Sequence, residues 1–552
     1  MKNYIKIFII TLLVVTAGSC KKLDLVPTNN FTDQNFYTTS ENVNNALNNI
    51  YSGMYNSDLY FYNDAMSDNA YTAQGSSYGN VDQVGAGTFT SSLPKFINDW
   101  SFYYQGIKAC NLFLAGIDQN KTLGADVIAR MKGEVRFVRA WHHFNLMKWW
   151  GDVPLLSADI TPDEAKVIAR TPRAAVLSFI TSELEAAAAA LPSKDKYAAA
   201  DNGRITNGAA LALEARVLLY EGNRMQDVVT ICEKLLNNPS TYGQYALASD
   251  YGSLFSDPAV NKTNSESMLS LQYVSGVAGR TWADGFDFYP ISAGSRTNNL
   301  APTQELVNDY IMNNGKGITD AGSGYDESNP YTNRDPRLTA TIVYDKANFK
   351  NADGTTQVIY IKPGSDPNRS ALNEYSPNGQ VSATGYYWRK YFDPNHLPQF
   401  VSGLNLHLIR WAEVLLDYAE AKNSLGQMDA STWSKTIMVL RQRAGFTDPN
   451  ALNFPTAGDM TTIIRRERRT ELAMEGIRTE DIRRWKLSET VLNGYVHGAK
   501  FGDPTIDNGY LRVQKRQFDP AKNYLWPIPL NEVNKDPNLK QNPGLLSNNQ
   551  LN

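Results

Sequence analysis

A mainly α-helical fold, built from paired helices and carrying a loop-rich lobe with short strands, is predicted by three observations. Apolar residues recur at helical spacing over 40–56, 94–118, 124–150, 173–191, 206–221 and 225–237. Very short connections, such as the one joining 206–221 to 225–237, force neighbouring helices to run antiparallel. The middle of the chain, 241–405, loses this period and fills with Gly, Asn, Pro, Asp and Tyr.

Several helix ends are legible. Thr171-Pro172 precede the segment at 173, Gly151 follows the one ending at 150, and Asn238-Pro239 close the one ending at 237. Paired helices of this kind are typical of repeat proteins, but no strict 34-residue period is present, so any tetratricopeptide-like repeat is degenerate. Within 241–405 only short runs look strand-like, at 267–274, 339–344 and 357–362. Irregular stretches of this length carry function more often than not. Helices return at 407–424, 431–444 and 459–486, followed by a Pro-rich tail. The expectation is one domain over 39–552. An N-terminal helical part (39–240) packs on C-terminal helices and tail (406–552), and the irregular lobe (241–405) lies on top.

Residues 1–19 belong to targeting and not to the fold. Lys2 and Lys6 precede an apolar run over 5–15 that is shorter than the about 20 residues needed to span a bilayer. Ala17, Gly18 and Ser19 then lead into Cys20. This resembles a bacterial lipoprotein signal, in which the cysteine is lipidated and begins the mature chain. Ala17 departs from the Leu or Val commoner at that position. The alternative is an ordinary secretory signal with an incidental cysteine. Each buried methylene of an acyl chain stabilises attachment by about 0.8 kcal/mol, so two or more chains anchor durably. Residues 20–38, extended and polar, read as a tether. Cys110 and Cys232 lie in helix-like apolar stretches and read as two buried free thiols.

The formal net charge of −3 offers no basic excess for nucleic acid. Thirty Tyr and 10 Trp against 5 His favour a stacking surface over a histidine-built metal centre. Glu467, Glu471 and Glu475 share a helical face, but Arg465, Arg466, Arg468, Arg469 and Arg478 surround them. Nearby cations depress carboxylate pKa values, whereas a glycosidase needs one protonated acid. The three glutamates therefore read as a charge lattice pinning the last helices, with Arg410, Arg441 and Arg443 as partners. Glu134 with Arg136 and Arg139, and Glu413 with Glu420, read the same way. His142 and His143 are adjacent, so they point about 100° apart on a helix and do not share a metal. Asp284 and Asp287 fall short of a calcium site. No Gly-x-Ser-x-Gly elbow is present. No catalytic residue, metal or cofactor is assigned.

What remains is aromatic. Flat C–H faces of sugars stack on Tyr and Trp, while amide, acid and guanidinium side chains bond the hydroxyls. Two loops carry that mixture. The first runs from Tyr60-Phe61-Tyr62 through Tyr71 to Tyr78, interleaved with Asn63, Asp64, Asp68, Asn69 and Gln74. The second runs from Arg280 through Trp282, Asp284, Gly285, Phe286 and Tyr289 to Arg296 and Asn298. The candidate ligand-binding residues are Trp282, Tyr71, Tyr78, Phe286, Tyr289, Asp284, Arg296 and Asn69. Trp282 leads because Gly285 and its polar neighbours suggest an exposed turn. Trp100, by its spacing to Tyr104 and Ile107, reads as core.

Short motifs along the chain resemble the SusD/RagB family. Glu134-Val135-Arg136-Phe137-Val138-Arg139-Ala140 is followed by Gly151-Asp152-Val153-Pro154-Leu155. Pro302-Thr303-Gln304-Glu305-Leu306 and Asn333-Arg334-Asp335-Pro336-Arg337-Leu338 follow. Ile409-Arg410-Trp411-Ala412-Glu413 and Glu467-Arg468-Arg469-Thr470-Glu471-Leu472 come next, the latter continuing to Arg483-Arg484-Trp485. Trp526-Pro527-Ile528-Pro529 and Gln541-Asn542-Pro543-Gly544 complete the set, which spans essentially the whole mature chain. The resemblance implies a fold of four tetratricopeptide-like helix pairs with an irregular ligand-binding lobe, and both aromatic loops lie where the family places its ligand. It also implies an outer-membrane, surface-facing lipoprotein seated on a SusC-like TonB-dependent barrel, binding oligosaccharide and catalysing nothing. The alternatives are a RagB-like peptide-binding subunit and an exported hydrolase.

Overall fold

The structure, a computed structural model, describes residues 36–277, 279–283, 288–377 and 380–545. Cys20, the signal segment, nearly all of the tether, Asp284 and Phe286 lie outside the described residues.

Helices form where the apolar spacing places them, and local capping sets their ends. α1 (Ser40–Ser52) begins where the Thr39 side chain accepts from Asn42 N, and turns Val43, Leu47 and Ile50 inward. The spacing over 40–56 runs past Gly53, where the chain breaks; Asn56 then caps a separate α2 (Ser57–Tyr62). After α3 (Val81–Ala86) come the long helices. These are α4 (Pro94–Gly116), α5 (Ala125–Trp150), α6 (Arg173–Ala190), α7 (Asn207–Glu221) and α8 (Met225–Asn237). Gly151 stops α5 at φ +77°. Each long helix packs on the next. The last turns of α5 and most of α7 are buried all round, which explains why neither shows a clean polar face.

Beyond α8 most helices are shorter; those that matter here are α9 (Gln304–Asp309), α10 (Pro336–Thr341), α11 (Trp411–Ser424), α12 (Ile437–Ala444), α13 (Met460–Glu471) and α14 (Arg478–Arg484). α11 packs on α7, α8 and α13, joining the two helical sets. Across that junction Arg216 of α7 grips Glu413 of α11 at 2.5 Å. Cys110 and Cys232 are buried free thiols.

Strands among the described residues occur only as antiparallel pairs. Those that matter here are β1 (Ala70–Tyr71), β2 (Ser267–Leu271), β3 (Trp282–Ala283), β4 (Ala301–Pro302), β5 (Val401–Ser402), β6 (Leu406–Arg410), β7 (Gly494–His497) and β8 (Arg512–Arg516). β1 pairs with β4, β2 with β6, β3 with β5 and β7 with β8. Two further pairs join Ile342–Val343 to Tyr387–Trp388 and Ala347–Lys350 to Thr356–Ile359.

Four expected elements differ. The helix expected over 407–424 opens as β6, because the fully buried segment 406–410 finds a strand partner in β2. The run over 339–344 is the end of α10 followed by a strand of two residues. The helix over 431–444 breaks at Thr436 (φ −124°, ψ −91°). The helix over 459–486 ends at Glu471 and resumes as α14. In between, Met474 N donates to Asp64 Oδ2 at 2.8 Å, and Gly476 (φ +72°) passes so close to α2 that a Cβ would meet Tyr60 O at 2.4 Å.

The expected charge lattice is present and buried. Arg410 reaches Glu266 Oε1, Glu471 Oε1 and Glu475 Oε1, each at 2.7 Å. Arg337 holds Asp335, Glu467 and Glu471; Arg441 holds Glu467; Arg443 holds Glu266 and Glu471; and Lys390 holds Glu475. Burial alone would raise the Glu471 carboxyl, but Arg443, Arg410 and Arg337 outweigh it and hold it well below the usual range. Glu134 pairs elsewhere than expected. Its partners are Arg130 and Arg204, while Arg136 and Arg139 both grip Glu183.

Candidate functional site

The two aromatic loops, more than 200 residues apart in sequence, meet through the smallest of sheets. Ala70 pairs with Pro302 and Tyr71 with Ala301. Thr303 strengthens the join, donating its N–H to Asn69 O (3.0 Å) and its hydroxyl to Asp68 O (2.6 Å). From the other side the buried Arg516 donates to the carbonyls of Ala65, Ser67 and Ala70. A turn fixed from both sides keeps the loop above it in register, as a binding surface requires.

On this platform Tyr71 and Tyr78 are half-buried. The Tyr78 ring lies flat on buried Tyr62, centroids 3.5 Å apart and planes within 14°. Its hydroxyl accepts from Asn299 Nδ2 at 3.3 Å, so a side chain of the second loop fixes an aromatic of the first. Burial raises the Tyr71 phenol, helped by Asp82 and opposed by Arg516, so it stays protonated and able to donate. Three residues before Asn299, exposed Arg296 stacks its guanidinium 3.9 Å from the Phe400 ring centroid.

Other expected site residues turn inward. Trp282 is only 3% exposed. Its Nε1 donates to Leu404 O at 2.9 Å, and its ring packs on Phe61 and Phe288. The exposed turn expected there is corrected: Trp282 sits in β3 opposite Ser402, and strand alternation turns it into the core and Ala283 to solvent. Tyr289 is fully buried and donates to Tyr391 O at 2.6 Å. Asn69 is buried and accepts from Arg469 Nε at 2.8 Å. Tyr60, Phe61 and Tyr62 form α2 and are core, not loop. Asp68 is an ion-pair partner of Arg478 and Arg469. Asn299 and Phe400 were not expected. Asn299 had a weak signal in its polar neighbours, whereas Phe400 joins the surface only through tertiary structure.

Neither the glutamate lattice nor the histidine pair prepares a proton transfer. The three glutamates of the lattice are buried, and each has a depressed carboxyl because arginines or lysine outweigh the effect of burial. His142 and His143 are buried, which pushes them down to about 3 and about 4, so both are neutral packing groups. Trp100 is core and packs edge-on against Trp150. Among the described residues no group of three or more His, Cys, Asp or Glu could hold a metal.

The fold is a helical scaffold carrying an irregular lobe with short strand pairs. The chain belongs to the SusD family, whose profile matches residues 252–545. A second profile, described as starch-binding associating with outer membrane, matches residues 23–219. A SusD-like carbohydrate binding protein from Bacteroides fragilis has a similar structure, with 29% identity and a TM-score of 0.80 over 92% of this chain and 100% of that one. A second SusD-like protein from Bacteroides fragilis gives 27% identity and a TM-score of 0.76 over 92% and 98%. SusD-like protein P25 of Formosa agariphila is 25% identical over 96% of this chain and 97% of its own length. Proteins of the family are non-catalytic outer-membrane lipoproteins, and this chain is not an enzyme.

Proposed function

We propose that the protein is a surface glycan-binding subunit, lipid-anchored through Cys20, that captures oligosaccharide for a SusC-like TonB-dependent barrel. The observation that carries this reading is the joining of two loops by β1 and β4. It sets Tyr78, Tyr71, Asn299 and Arg296 on paired segments, an aromatic and amide mixture suited to sugar rings and hydroxyls. Depressed glutamates and neutral histidines favour capture over turnover. The carbohydrate-binding relative in Bacteroides fragilis supports the ligand class. Asp284 and Phe286 are assigned to the ligand in this reading, whereas Trp282, Tyr289 and Asn69 are buried and serve the fold.

Residues 39–552 then act as one domain, with four degenerate tetratricopeptide-like helix pairs to which α4 to α8 contribute, and 241–405 as the ligand-binding lobe. Calorimetry of the soluble chain without Cys20, against polysaccharides and peptides, tests the reading. Saturable binding of a polysaccharide is expected. Peptide-only binding would make it a peptide-capture subunit, and release of reducing sugar would overturn the non-catalytic role.

A further inference from the structure

A cleft of about 500 Å³ opens where the end of α7, the start of α6, α14 and the tail segment 520–525 meet. Its wall carries five cations, Arg173, Arg483, Arg484, Lys486 and Lys522, against one carboxylate, Glu221. Three of these cations are answered within the fold. Arg173 holds Glu221 at 2.5 Å, Arg484 holds Glu420 at 2.5 Å and Asp481 at 2.9 Å, and Lys522 stands 3.7 Å from Asp519.

Arg483 and Lys486 have no carboxylate within ion-pairing distance among the described residues. Arg483 is 5% exposed. Nη1 donates to Tyr524 O at 2.7 Å, while Nε is buried and meets no acceptor. Burial pushes this guanidinium down to about 10, a direction opposite to that of arginines seated among carboxylates, such as Arg337 and Arg410. Lys486 is exposed and holds its ammonium 3.8 Å from the Tyr524 ring centroid. The Trp149 ring, 5.4 Å from the guanidinium, offsets part of this burial but accepts no N–H bond in its plane. A buried cation without a counter-charge is costly, and a cleft-lining guanidinium with its Nε–H unmet fits a planar or tetrahedral oxyanion.

We infer that this cleft is an oxyanion site, in which Arg483 and Lys486, with Lys522 at the rim, hold a carboxylate, sulfate or phosphate group. The volume exceeds that of a bare ion and accommodates such a group carried on a sugar-sized molecule. The inference is independent of the surface at Tyr78 and stands if that surface binds nothing.

Titration calorimetry of the soluble chain at constant ionic strength in chloride tests it with four probes: sodium sulfate, sodium phosphate, glucuronate and glucose. Saturable one-to-one binding of at least one oxyanion is expected, weakened at least tenfold in Arg483→Gln and in Lys486→Ala/Lys522→Ala. Tighter binding of glucuronate assigns the site to an acidic saccharide, and tighter binding of sulfate or phosphate to a free anion. Should Arg483→Gln not fold, the lysine double variant decides. The inference is overturned if no oxyanion binds saturably, if the lysine variant binds as tightly as the parent, or if glucose matches glucuronate.

Discussion

Replacing Arg410 with methionine removes the guanidinium at the centre of the buried network and keeps most of the side-chain volume. Five charge-assisted hydrogen bonds are lost: one to Glu266, two to Glu475, and two to Glu471, counting its carbonyl. Breaking a buried ion pair costs about 3–5 kcal/mol, chiefly because a carboxylate is left without its partner. Here none of the three glutamates is fully abandoned. Glu266 keeps Arg443, Glu471 keeps Arg443 and Arg337, and Glu475 keeps Lys390. The loss therefore falls at the lower end, about 3 kcal/mol. With an unfolding entropy of about 2.1 cal/mol/K per residue, that corresponds to a fall in Tm of about 3 °C. Urea unfolding of the soluble chain measures it, the midpoint falling with little change in m-value. Adding Glu475→Gln deepens the loss, since it takes from buried Lys390 the carboxylate that it still holds. A loss below about 1 kcal/mol would refute the reasoning that this network pins α13 to β6.

Further expectations follow from the same contacts. Trp282→Phe breaks the bond to Leu404 O and costs about 1–3 kcal/mol in unfolding, while glycan affinity stays within twofold; a larger affinity loss returns Trp282 to the site. His497 lies between Glu305 (2.7 Å) and Asp507 (3.1 Å), whose hydrogen bonds raise its pKa above 6.5 against some burial. Its stabilisation is full below pH 6.5 and is lost as pH rises through the folded value. Amide exchange in the β7–β8 hairpin therefore quickens toward alkaline pH beyond the intrinsic rate, and His497→Gln should abolish that extra dependence. Burial raises the Asp64 carboxyl to about 7, despite the Met474 N–H, so the folded state holds this proton more tightly than the unfolded chain. Stability therefore falls between about pH 4 and pH 7 on its account. Asp64→Asn should equal the parent at pH 4 and exceed it at pH 8; a difference independent of pH would contradict this.

α1 and α8 were legible because each buries a stripe over several turns and keeps a polar face, whereas α5 and α7, largely buried all round, were legible from their length and their ends. β6 was not, since the five residues Leu406-His407-Leu408-Ile409-Arg410 are too few to separate a strand period from a helical one, and only its partner β2 decides. The lattice was half legible. Spacing put Glu467 and Glu471 on one face, but Glu266 and Arg337 enter it from distant segments. In the candidate site Tyr71, Tyr78 and Arg296 keep exposed surface, whereas Trp282 was misplaced by turn-forming residues that begin two positions later. Its orientation depends on Ser402, 120 residues away. Phe400 depends on the same long-range pairing, for which one strand of two residues leaves no local pattern.

The most direct measurement is the affinity of the soluble chain for a polysaccharide that it retains, compared among the parent, Tyr78→Ala and Tyr71→Ala. Removing a stacked aromatic costs about 0.5–1.5 kcal/mol, so Tyr78→Ala should bind up to about tenfold more weakly when measured well below its own unfolding midpoint. That midpoint falls because the Tyr62 stack and the Asn299 bond are lost. Undiminished binding in both variants would place the ligand elsewhere, and binding of peptides alone would contradict glycan capture.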